Sequence, residues 1–189
     1  MSESTNSKVV EHFAAFKEWV STIREDIETL EDIVGSDKVA RDARIYLAAS
    51  LNYLVTRIDL VPDWEESVGV LDDVIVLRIM IELASQHGLD EGLEDSGNIV
   101  AVGRLLNESK RIEQFLGSEL NAALRKYCVK LTDEVVRGRS CSTIVDNADQ
   151  RKKLFVEIEQ DLRRMPAAPF TDPEALAVTF KSHLAYKLK

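Results

Sequence analysis

The sequence predicts an all-α fold: a helical bundle of about six to seven helices, with a long heptad-patterned N-terminal helix and a central helix-loop-helix. Three observations predict it. Val9, Phe13, Phe16, Val20, Ile23, Ile27, Leu30 and Val34 are spaced 4, 3, 4, 3, 4, 3, 4, an unbroken apolar stripe at helical period. No stretch shows sustained period-2 alternation. Glycines, prolines and capping residues fall where such helices would start and stop.

Taken in order, Met1 to Lys8 is polar and reads as a disordered tail, without the apolar core of a secretory signal. Residues 9–189 read as a single helical domain. The first helix stops near Gly35, and its stripe must be covered by the rest of this chain or by a second copy. Lys17, Glu18, Arg24, Glu25, Asp26, Glu28 and Glu31 lie between the stripe positions and read as its polar side. Ser36 or Asp37 is suited to cap a second helix carrying Ala40, Ala43, Leu47, Leu51, Leu54 and Ile58. Arg57 to Val68 is the break, centred on Pro62, which disfavours helical backbone at Val61. A third helix, from about Gly69 to Gln86, is apolar almost all round and belongs at the centre.

From Asn98 a stripe resumes through Val102, Leu105, Ile112, Leu116, Leu120, Leu124 and Leu131, with Gly117-Ser118 as a break. Gly138 to Ser142 reads as a loop, and Leu154, Phe155, Ile158 and Leu162 mark a further helix ended by Pro166 and Pro169. Thr171-Asp172-Pro173-Glu174 has the form of a capping box before a last helix with Leu176, Phe180 and Leu184.

Charge narrows the choice of partners. The net charge is −9. Residues 1–95 hold 21 acidic and 8 basic side chains, and residues 96–189 hold 12 acidic and 16 basic. An acidic first half disfavours nucleic acid, because phosphate binding needs a positive field. The clusters Arg137/Arg139, Arg151-Lys152-Lys153 and Arg163-Arg164 lack interleaved aromatics and read as a solvated helix face. Val68 to Ala84 is interrupted by Asp72, Asp73, Arg78 and Glu82, so it reads as a buried helix rather than a bilayer span. Cys128 and Cys141 have no zinc-ligand spacing and read as reduced thiols of a cytoplasmic protein.

Chemistry is sparse. His12, His87 and His183 are far apart and show no ligand spacing. His12 is expected on the exposed side of the first helix, and Cys141 in a loop beside Arg137 and Arg139, which would lower its pKa. Trp19 reads as a core or interface anchor, and Trp64 as a docking side chain in the loop.

One segment is unusual. Asp59, Asp63, Asp72 and Asp73 stand among Ile58, Leu60, Val61, Trp64, Val70, Leu71 and Val74. Burying an unpaired charge costs on the order of several kcal/mol, and a helix N-terminus returns only about 0.3–1 kcal/mol. Such carboxylates face water, meet cations or share protons. Three readings follow. Asp59 and Asp63 accept backbone amides around the proline turn, and Asp72 and Asp73 sit in the first turns of the third helix paired with Arg44, Arg57 or Arg78. They bind a divalent cation such as Mg²⁺ through oxygen. Or they form an acidic partner surface. Adjacent helical residues point about 100° apart, so Asp72 and Asp73 are poorly placed to chelate one ion together.

The run Ile58-Asp59-Leu60-Val61-Pro62-Asp63, followed by Gly69-Val70-Leu71-Asp72-Asp73, resembles the signature of the YkvA-like family, also called domain of unknown function 1232. The resemblance covers roughly Arg44 to Ala84. Arg57 stands where the family usually has proline, and Glu65-Glu66 where it often has an apolar residue and proline. The resemblance implies a helix-loop-helix with structurally important aspartates and implies no reaction. Asp59, Pro62, Asp63, Trp64, Gly69, Asp72 and Asp73 are therefore the candidate site, with the four aspartates as metal candidates. The expected role is a non-enzymatic helical interaction or scaffold module that binds a protein partner or itself. The alternatives are a metal-dependent enzyme, such as a hydrolase, and a peripheral membrane protein docking through the basic C-terminal helices, to which Lys181, Lys187 and Lys189 add a little.

Overall fold

The computed structural model describes residues 3–56, 60–61, 69–163 and 172–189, with side chains from residue 10 onward. Among them the chain forms eight α-helices and one two-stranded hairpin. In order these are α1 (Glu3–Gly35), α2 (Arg41–Tyr53), α3 (Leu71–Ser85), α4 (Ser96–Leu116), α5 (Ser118–Leu131), β1 (Val135–Val136), β2 (Arg139–Ser140), α6 (Cys141–Asp146), α7 (Ala148–Leu162) and α8 (Pro173–Lys187). A single 3₁₀ turn, Asp90–Gly92, lies between α3 and α4.

The all-α expectation holds, with particular corrections. Residues 3–8, read as a disordered tail, continue α1. They contain no proline or glycine, and extending an existing helix by a turn is far easier than nucleating one. The stretch read as a loop at Gly138 to Ser142 is a tight hairpin followed by α6, which raises the helix count to eight. Val135 pairs with Ser140 and Val136 with Arg139. Arg137 and Gly138 both take positive φ, 49° and 79°. Two positive φ angles at the turn match the right-handed twist of the paired strands. Ser140 then caps α6, accepting from the Thr143 amide. The second helix starts after Ala40 without a side-chain cap, so neither Ser36 nor Asp37 caps it, and it ends at Tyr53, before Leu54. The Gly117 break is real, at φ 84°. Asp172 caps α8, accepting from the Glu174 and Ala175 amides, with Pro173 in the first turn.

The stripe of α1 is covered by its own chain. Phe13, Phe16, Val20, Ile23, Ile27, Leu30 and Val34 are all buried, and α1 packs on α2, α3, α4, α7 and α8. Its N-terminal half closes on an aromatic cluster: Phe16 lies 4.8 Å from Phe115 and 5.0 Å from Trp19, and Phe115 lies 6.2 Å from Phe180. Helix α3 is the centre. Of its 15 residues, 13 are buried. No helix among the described residues is long and apolar enough to cross a membrane.

Candidate functional site

Helices α2 and α3 pack side by side, and the last turn of one meets the first turn of the other. Asp72 stands there, fully buried. Its Oδ2 accepts the Tyr53 hydroxyl at 2.6 Å and the Val61 amide at 3.3 Å. The same Tyr53 oxygen accepts the Leu60 amide at 3.0 Å. One carboxylate and one phenol thus fasten residues 60–61 to the ends of both helices. A hydroxyl that both donates and accepts is fully used. Burial, and after it the charges of Asp72 and Asp73, hold the Tyr53 pKa well above the ordinary value. Its proton therefore stays in place to be donated. The first turn of α3 also favours the carboxylates of Asp72 and Asp73 electrostatically. Gly69 is buried in the turn ahead of α3.

Two of the arginines expected to neutralise these aspartates, Arg44 and Arg78, make their hydrogen bonds elsewhere. Arg44 donates to the Val34 and Val145 carbonyls at 3.0 and 3.2 Å, closing the ends of α1 and α6, and reaches Asp37 at 3.4 Å. Arg78, fully buried, donates to Asp26 at 3.0 Å and to Glu108 at 2.7 Å, with its guanidinium 4.4 Å from the Trp19 ring centre. Arg104 completes the network, pairing with Asp26 and, at 3.1 Å, with Glu108. Burial pulls the Arg78 pKa down, and Glu108 and Asp26 oppose it. Arg57, Asp59, Pro62, Asp63 and Trp64 lie outside the described residues. Among the described residues, no group of three or more His, Cys, Asp or Glu is placed to hold a metal ion.

The α1 stripe does not reveal this network, because Asp26 lies between the stripe positions Ile23 and Ile27. The signal was there. Trp19, Ile23, Asp26, Leu30 and Ile33 are spaced 4, 3, 4, 3, so Asp26 interrupts a second apolar row. Arg78 is also the only base in the apolar third helix.

Other expectations change too. Cys141 is buried at the start of α6 rather than exposed in a loop. Burial pushes its thiol up to about 12, and that of Cys128 likewise to about 12. Neither is poised as a nucleophile. Trp19 is core, and His12 is half-buried, its ring 5.7 Å from Phe115. Arg137 and Arg139, read as solvated, both grip Glu157 of α7. Arg139 does so through two bonds of 2.8 and 2.7 Å. Lys181 lies over Phe115 at 4.6 Å.

Residues 43–79 match the family described as "Protein of unknown function (DUF1232)". This bears out the resemblance and supports assigning the α2–α3 segment to that family. No curated protein and no solved structure matches the chain.

Proposed function

We propose, from a family match confined to the α2–α3 segment, that this protein is a non-catalytic helical interaction or scaffold module that binds a protein partner or a second copy of itself in the cytoplasm. On this reading the family segment is architecture. Asp72 is engaged by Tyr53 and Val61, inside the fold. The α1 stripe, which either this chain or a second copy had to cover, is interior. The observation that carries the reading is a ridge on the last helix. Val178 and Tyr186 are 68% and 76% exposed and stand two turns apart on α8. Exposed tyrosine is enriched at protein interfaces.

A photocrosslinker introduced at Tyr186 tests it in cells. A discrete protein adduct or a covalent dimer is expected there, and not from the same group at Glu25, on the acidic face of α1. Equal labelling at both positions, or none at Tyr186, would overturn the reading.

The metal-dependent alternative is separated by thermal melts of chelator-treated protein. A cation at 100 times its Kd would add about 2.7 kcal/mol. No shift with Mg²⁺, Mn²⁺, Ca²⁺ or Zn²⁺, beside a lowered Tm for Asp72→Asn, is expected. A shift in the parent that Asp72→Asn abolishes would restore the enzyme reading.

A further inference from the structure

Helix α7 rests on α1, α2 and α6, and only Leu154 and Ile158 among its 15 residues are fully buried. Where it crosses α1 there is a cavity of about 410 Å³, lined by Glu31 on one wall and by Lys152, Phe155, Glu159 and Arg163 on the other. Glu31 is half-buried, and its Oε1 is shielded from solvent without a hydrogen-bond partner among the described residues. Glu28 and Asp32 flank it on α1 and add negative charge. Glu159 adds more from α7, although Arg24 pairs with it and Arg163 stands 3.8 Å away. Arg24 and Arg163 are thus directed at Glu159 and Lys152 stands exposed on the cavity wall, while among the described residues no ion pair reaches Glu31.

We propose that Glu31 is a pH-sensitive latch on the α1–α7 seam: protonated, it lies quietly against α7; ionised, it meets Glu159 across the cavity and loosens the helix from α1. This stands independently of what the protein binds.

Burial, and then Glu159, Glu28 and Asp32, raise the Glu31 pKa from 4.5 to about 7. Opening the seam returns the side chain to water and to its ordinary range. Between about pH 4.5 and 7 the closed seam therefore holds a proton that the open one has lost. Closure is most favoured at or below pH 4.5, weakens steadily as the pH rises to about 7, and changes no further above. Glu157, the other α7 carboxyl in a strong pair, behaves oppositely. Its bonds to Arg139 and Arg137 lower its pKa below 4.5, so it stays ionised throughout this window and contributes no slope there.

Amide hydrogen exchange, followed by mass spectrometry from pH 5 to 8 and corrected for intrinsic exchange, reads the latch. Protection of α7 should fall about tenfold across the window while that of α3 stays level. One pKa unit corresponds to a factor of ten, and solvent around a half-exposed carboxyl discounts the rest. Glu31→Gln, nearly isosteric and unable to ionise, should flatten the α7 profile. Independently, the Glu31 carboxyl carbon in the unaltered protein should titrate near pH 7 by NMR. An α7 slope that survives Glu31→Gln, or a Glu31 carboxyl that titrates near 4.5, would overturn the proposal.

Discussion

Helices α3 and α7 have the same length, 15 residues, and opposite characters. In α3, 13 residues are buried; in α7, two are. Yet each holds charged groups at its most constrained points. In α3 the charges are inside and matched: Arg78 by Asp26 and Glu108, and Asp72 by the Tyr53 hydroxyl and the Val61 amide. In α7 the charges are at the rim: Glu157 beneath Arg137 and Arg139, and Glu159 beside Arg24. An exposed pair such as Arg24–Glu159 contributes about 0–1 kcal/mol. A buried one is hard to break, because removing one partner strands the other without water. Losing a partner is therefore costlier in α3 than at the exposed edge of α7.

Four substitutions break or sharpen this contrast. Arg78→Met should have the largest effect, about 3–5 kcal/mol in chemical denaturation, because it removes the buried cation that Asp26 and Glu108 share and leaves them only the partly exposed Arg104. A loss below about 1 kcal/mol would show that the α3 network is dispensable. Ile158→Ala removes one of the two buried anchors of α7 and should cost about 2–4 kcal/mol. If α7 is the looser element, faster exchange in α7 will exceed that in α3. Uniform acceleration would mean that the two helices unfold as one. Tyr53→Phe removes the hydroxyl that donates to Asp72 and accepts the Leu60 amide, and should cost about 1–3 kcal/mol by the same measurement. Smallest is Asn147→Ala. Its side chain accepts the Asp149 and Gln150 amides, and losing that cap should cost about 1 kcal/mol, felt in α7 alone.

Much of the architecture was legible because it is local. A 4, 3 spacing places a stripe on one face of a helix whatever surrounds it. Asp172-Pro173 starts α8 because an aspartate accepts the free amides and proline lacks one of its own. The α2–α3 segment was legible as a family signature, and the candidate site only in part. Asp72 is held by Tyr53 and Val61 while Arg44 and Arg78 make their hydrogen bonds elsewhere, since sequence proximity to arginine says nothing about where a guanidinium reaches. Cys141 was misplaced because a Ser-rich, Gly-bearing stretch reads as a loop when a two-residue turn and a six-residue helix are too short to leave a periodic trace.

The sequence by itself determined the helical class, the long first helix, the central third helix and the breaks at Gly117 and Asp172. Each follows from backbone preference and apolar period within a few turns. Only the tertiary structure decided that the α1 stripe faces its own chain, that Asp26 meets Arg78 across 52 positions, and that Glu31 faces Glu159. Those contacts join distant segments. Their energies depend on burial and dielectric, which exist only once the helices are packed together.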